Sequence, residues 1–242
     1  MDKTSFLVLT LAALLLILSL SFLIFPIWNH HVVQIRAHRE MAHFSEVIQP
    51  KTEPEEPENR PFPELWDACV SYNRELIEND QENMDEATIQ EPHLDLSQYG
   101  WEPESFGILS IPQIGVELPL YLGSSADNLL RGAAILGQTS LPIGGDSTNC
   151  VICGHRTWNG DDKLRDIEQL QIGDEITIRN PWEELTYAVV DIQVILPTDS
   201  DRLLIQPGRD LVSIFTCTPI HVNTHRYLVI CQRVDAKTAA NK

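Results

Sequence analysis

From Thr4 to Trp28 the chain reads TSFLVLTLAALLLILSLSFLIFPIW, 25 residues without a charge. An uncharged run of that length limits the fold before any other feature does. About 20 apolar residues in a helix cross the ~30 Å hydrocarbon core of a bilayer, and this run exceeds that. A cleavable signal peptide has an apolar region of only about 7–15 residues, followed by a small-x-small site. No such site follows this run, and Pro26 and Trp28 stand at its exit, where an aromatic side chain suits the membrane interface. Residues 1–28 are therefore expected to form an uncleaved, single-pass anchor. Positive charge does not orient it, because Lys3 precedes the run while Arg36, Arg39, His30, His31 and His38 follow it.

Past the anchor the chain is acidic, with a formal net charge of −18 over 242 residues. That balance excludes nucleic-acid binding, which needs clustered Lys and Arg against phosphate. It also argues against adsorption to anionic lipid. Residues 51–105 carry 16 Asp/Glu against 3 Lys/Arg, whereas residues 106–234 carry 15 against 9. The first stretch reads as a solvated spacer, since so much like charge opposes collapse. Within it, residues 50–63 (PKTEPEEPENRPFP) form a stiff extended linker. Leu65 to Met84 has an amphipathic helical stripe of Leu65, Cys69, Tyr72 and Leu76. The expected division is 1–28 anchor, 29–105 acidic linker with a helical segment able to serve as a lid, 106–234 a folded domain, and 235–242 a tail.

From Phe106 the texture changes to short β-branched runs broken by Pro and Gly. The expected strands are 106–111, 116–122, 149–153, 175–179, 187–196, 211–216 and 227–234, with short helical patches at 126–134 and 163–170. Seven such runs suggest a mainly β, closed or nearly closed barrel.

Five cysteines cannot form a complete disulfide framework within one chain. Cys69 and Cys231 sit in apolar patterns and read as small core hydrophobes. Cys150 and Cys153 make a C-x-x-C, but residues three apart on a strand face opposite ways and cannot chelate one ion. No metal site and no cofactor is expected. Cys217 differs, because it ends the run LVSIFT and precedes Thr218-Pro219, where the chain must turn. His155 follows another strand, TNCVIC, and Arg226 opens the strand YLVICQRV nine residues after Cys217. Brought together at neighbouring strand ends, these three would supply a thiolate nucleophile, a proton carrier and a cation for a developing oxyanion. Thr216 and His221 are candidate substrate contacts. His225 should face away from Arg226 by strand alternation, and Asp146 reads as a solvated loop residue.

The segments TNCVICGHR (148–156), FTCTP (215–219) and THRYLV (224–229), in that order, resemble the sortase signature. IPQIGVELPLYLGS (111–124) and TSLPIGG (139–145) are similar to the pilin-type, class C sortases. The resemblance covers about residues 106–234. It implies a sortase-type closed eight-stranded β-barrel and transpeptidation of an LPXTG-like sorting signal. Cys217 would attack the Thr–Gly carbonyl, His155 would serve the leaving and entering amines, and Arg226 would steady the oxyanion or the substrate backbone. The implied partners are surface proteins or pilins bearing the signal and an amine acceptor, either a pilin lysine or a peptidoglycan precursor. That chemistry puts the catalytic domain outside the cell membrane. Two features depart from the pilin-type pattern: Glu91-Pro92-His93 stands nearest to the usual Asp-Pro-aromatic lid motif, and the chain closes on AKTAANK rather than on an apolar span. A wall-anchoring sortase, a cysteine hydrolase using the same pair, and a non-catalytic binding module are the alternative readings.

Overall fold

The structure is a computed structural model that describes residues 2–48, 60–79, 81, 87–157 and 163–234. Residues 50–59 of the expected linker and the tail 235–242 lie outside those residues.

Helix α1 spans Lys3–Val47, 45 residues in one piece. It is long and apolar enough to cross a membrane, with a mean hydropathy of 2.9 in its most apolar window. The helix does not stop with the apolar run at Trp28. Residues 29–47 contain neither Gly nor Pro, so nothing in the local chemistry ends it before the approach to Pro50. This second half has a different role from the first. Ala37, Met41 and Phe44 recur at helical spacing and are buried against the barrel. Glu40 Oε1 accepts from the backbone N–H of Ser105 (2.7 Å) and from its hydroxyl (2.9 Å). Arg179 donates to the Ser45 hydroxyl at 2.9 Å.

Helix α2 spans Pro63–Glu78, with Pro63 in the first turn and Glu64 suited to the positive end of the helix. Its buried stripe is Leu65, Cys69, Asn73 and Leu76. Asn73 stands where Tyr72 was expected, because its amide pairs with both backbone groups of Leu141 (2.7 and 3.1 Å). Tyr72 lies beside it and accepts from the Gln138 N–H at 3.1 Å. The helix ends at Glu78, short of the expected Met84.

Eight strands close into one barrel: β1 (Gly107–Ile111), β2 (Val116–Leu122), β3 (Ala133–Ile135), β4 (Thr148–Cys153), β5 (Glu175–Arg179), β6 (Glu184–Ile195), β7 (Asp210–Thr218) and β8 (His225–Arg233). Around the barrel the order is β1-β2-β3-β4-β7-β8-β6-β5. The pairs β2/β3 and β4/β7 are parallel and the rest antiparallel. Closure leaves no open sheet edge. Ile111, Leu120, Ile135, Ile152, Ile178 and Ile214 are wholly buried in the main core.

The helical patch expected at 126–134 is corrected in two ways. Helix α3 covers only Ala126–Arg131, capped by the Ser125 hydroxyl, which accepts from the Asn128 N–H. Ala133–Ile135 is instead the eighth strand. Gly132 makes that change of course possible, since a Cβ there would lie 2.2 Å from the Pro119 carbonyl oxygen. Of the patch expected at 163–170, only Ile167–Gln169 forms a turn of 3₁₀ helix.

Candidate active site

The site is built by register. Strand β4 lies parallel to β7 with Cys153 level with Phe215. Two residues further along each chain, His155 leaves β4 where Cys217 stands on β7. Strand β8 returns antiparallel and sets Arg226 directly opposite Cys217. A cysteine and an arginine nine residues apart, and a histidine from a distant segment, thus reach one end of the barrel. Strand β7 runs on to Thr218, so Cys217 sits within the ladder's last residues rather than beyond it.

Alternation decides which way each side chain faces. Val212 and Ile214 belong to the barrel core, whereas Leu211 and Phe215 belong to clusters on the outer face. Cys217 shares the outer face with Phe215. Among the free cysteines it alone is half-buried; Cys69, Cys150, Cys153 and Cys231 are buried. Burial pushes the thiols of Cys69, Cys153 and Cys231 up to about 12, and that of Cys150 well above its ordinary value. Those four are poor thiolates at neutral pH. The C-x-x-C divides as strand geometry requires, Cys150 in the main core and Cys153 in an outer cluster.

His155 is half-buried, and its pKa is held below the ordinary histidine value by that burial first and by the positive charge of Lys163 second. Its imidazole is therefore largely neutral at physiological pH. Its carbonyl accepts from the Leu164 N–H at 3.1 Å. The Arg226 guanidinium is steadied by donating to the carbonyls of His225 (3.0 Å) and Asn223 (3.2 Å). It borders an open groove of about 520 Å³ on the outer face, walled by Ile89, Leu136, Ile195, Leu203 and Phe215. A thiol, an imidazole and a guanidinium, the last of them lining the apolar groove, are the kinds of group that acyl transfer through a cysteine needs.

One candidate substrate contact, Thr216, is not presented to this groove. Thr216 is 1% exposed and faces inward, its hydroxyl donating to the Gly154 carbonyl at 2.7 Å. It holds the site together from beneath, as alternation next to an outward Cys217 requires. His221 is exposed in the β7–β8 loop, with a left-handed backbone (φ 66°). Asp146 is exposed at the start of β4, the end away from His155.

The structure adds residues that the sequence reading left without a role. The groove's far wall comes from the β6–β7 connection, Leu196 to Leu203, whose apolar residues had no periodic partner to mark them. Ile89 arrives from the segment before the barrel. Its carbonyl accepts from the backbone N–H groups of Ser124 (3.2 Å) and Gly137 (2.9 Å) and from the Ser124 hydroxyl (2.7 Å). Gly123 and Gly137 let this segment lie close: a Cβ on Gly137 would be 2.2 Å from the Thr88 carbonyl oxygen. His93 follows, half-buried, its ring Nε2 3.1 Å from the Thr139 carbonyl and its edge against Tyr72.

Fold and site together define a closed mixed β-barrel with a cysteine, a histidine and an arginine gathered at one end beside an apolar groove. A family model described as the sortase domain matches residues 109–234, more than half of the sequence, and the chain belongs to the sortase family. It is 30% identical over 131 residues to Sortase A of Bacillus anthracis, a match that covers 54% of this chain and 60% of that protein's own length. Among solved structures it is similar to a mutant of sortase C-1 from S. pneumoniae, with a TM-score of 0.68 and 32% identity over 81% of this chain and 98% of that one. Sortase C from Clostridium perfringens SM101 superposes with a TM-score of 0.64 and 29% identity, over 82% and 99% respectively.

Proposed function

We propose that this chain is a membrane-anchored cysteine transpeptidase acting outside the cell on an LPXTG-like sorting signal. The observation that carries the proposal is the register that sets Arg226 opposite Cys217 with His155 level beside them. Cys217 gives its thiol proton to the neutral His155 imidazole and attacks the Thr–Gly carbonyl as its thiolate, and the oxyanion that develops is met by Arg226. His155 protonates the departing glycine amine as the C–N bond breaks, leaving a thioester on Cys217. It then takes a proton from the entering amine, which displaces the thiol and forms the new amide. The apolar groove ending at Arg226 suits an extended segment with apolar residues ahead of the scissile bond.

A pilin lysine is the favoured acceptor, because the similar structures are sortase C proteins and one of them is described as pilus-related. A peptidoglycan amine would make the chain a wall-anchoring sortase instead. Residues 87–93 are proposed to act as a lid, since Ile89 fills part of the groove wall.

The test uses the full-length chain in detergent micelles with an LPXTG-type peptide, followed by intact-mass spectrometry. An acyl adduct is expected on wild type, absent from Cys217→Ala, and discharged by an added amine into a new amide. Discharge to water at the same rate with and without amine indicates a hydrolase. Absence of any adduct, even after Gly137→Ala has displaced the segment before the barrel, indicates a binding module.

A further inference from the structure

His155 and Cys217 are each flanked by a tie to the other's strand. On one side, the Thr216 hydroxyl donates to the Gly154 carbonyl at 2.7 Å. On the other, Arg156 Nη1 donates to the Thr218 hydroxyl at 2.8 Å. The residues before and after the histidine are thus bonded to the residues before and after the cysteine. Both ties run on the inner side of the barrel wall, beneath the outward pair.

The second tie is built more heavily than the first. Arg156 is 6% exposed, unusual for a charged side chain. Its three nitrogens go three ways: Nη1 to Thr218, Nη2 to the Glu168 carboxylate at 2.7 Å, and Nε to the Arg165 carbonyl at 3.3 Å. The Thr218 hydroxyl, accepting from Arg156, donates in turn to Glu168 at 3.3 Å, which closes a ring of three side chains. Arginine's planar fork makes such divergent bonds from one fixed plane, and a lysine ammonium does not. The same stretch also grips the histidine turn. The Leu164 N–H donates to the His155 carbonyl, and Leu164 packs on Gly154, where a Cβ would approach to 2.9 Å.

We propose that Arg156, with Thr218 and Glu168, is the positioning element that fixes His155 against Cys217 for proton transfer. This rests on the reading of those two residues as the reacting pair. Neither Arg156 nor Glu168 faces the groove, so they act through His155 and Cys217 and not on substrate. Displacing a reacting group by about 1 Å costs on the order of 10²-fold in rate. The ring therefore affects kcat and leaves peptide binding alone.

The experiment measures kcat and KM for peptide transfer to an amine, per titrated Cys217 thiol, on the full-length chain in micelles. The variants are Thr218→Val, Thr218→Ser, Arg156→Met, and, as controls, Cys217→Ala and His155→Ala. Valine keeps threonine's shape and removes the hydroxyl, so folding survives the test. Thr218→Val and Arg156→Met are expected to lower kcat by roughly 10- to 100-fold, with KM within about twofold of wild type. Thr218→Ser, which keeps the hydroxyl, is expected to restore kcat to within about threefold. If Arg156→Met does not fold, the valine–serine pair decides. Wild-type kcat in Thr218→Val, with both controls dead, overturns the positioning role and leaves the reacting pair in place. Turnover in Cys217→Ala or His155→Ala overturns the pair itself, and the positioning role with it.

Discussion

Consider Phe44→Ala, a change at the junction between helix α1 and the barrel, well away from Cys217. The Phe44 ring is fully buried, stands edge-on to Trp101 at 5.6 Å, and has the Arg179 guanidinium 5.8 Å from its centre. Truncating a buried phenylalanine to alanine costs about 3–5 kcal/mol, part of it the aromatic pair. At about 2–4 °C per kcal/mol for a unit of this size, the melting temperature should fall by roughly 6–20 °C. The assay is thermal unfolding of the full-length chain in micelles, followed by near-ultraviolet circular dichroism, where Trp101 reports on the junction. A chain starting at residue 29 retains Ala37, Met41 and Phe44 and should melt as wild type does. A chain starting at residue 50 loses all three from the core and should melt lower than Phe44→Ala. A melting temperature for Phe44→Ala within about 2 °C of wild type would refute the reasoning, because a ring with that burial cannot be removed so cheaply from a packed core.

Lys163→Met removes the positive charge that helps hold the His155 pKa down, while the larger contribution of burial stays. The His155 pKa should rise but remain below the ordinary histidine value, moving the acid limb of the adduct-formation rate to higher pH. The effect belongs below pH about 8, where Lys163, itself held down to about 8 by burial, carries its charge; an unmoved limb would show that His155 does not sense it. Gly137→Ala forces its new Cβ against the Thr88 and Glu91 carbonyls, at 2.2 and 2.8 Å, so residues 87–91 must lift. Alkylation of Cys217 by a methanethiosulfonate reagent should then quicken several-fold, and an unchanged rate would count against a lid.

Much of the molecule was legible because its signals are local. The 25-residue uncharged run needs no partner to be recognised as a helix long and apolar enough to cross a membrane. Seven of the eight strands show as short β-branched runs between turn residues. The trio Cys217, His155 and Arg226 shows because strand ends are marked by Pro, Gly and a change of polarity. The spacing of nine between Cys217 and Arg226 is what a hairpin return with those two residues paired requires, and β7 and β8 pair them.

What the sequence did not disclose depends on distant partners. Ala133–Ile135 has no strand signal of its own and becomes one because Leu120–Leu122 and Ile152–Cys153 offer it backbone bonds. Thr216 looks like a residue available to a substrate until alternation turns it, together with Thr218, inward to Gly154 and Arg156. Arg156 stands in the Gly-His-Arg triplet in plain view, yet its burial and its three bonds exist only once residues 163–168 fold over it. By itself, then, the sequence determined a helix long and apolar enough to cross a membrane, a strand-rich domain and the candidate trio at its strand ends, since each signal is written in short local stretches. The tertiary structure alone decided which face Cys217 takes, what walls the groove and what ties the trio together, because those depend on contacts between segments far apart in the chain.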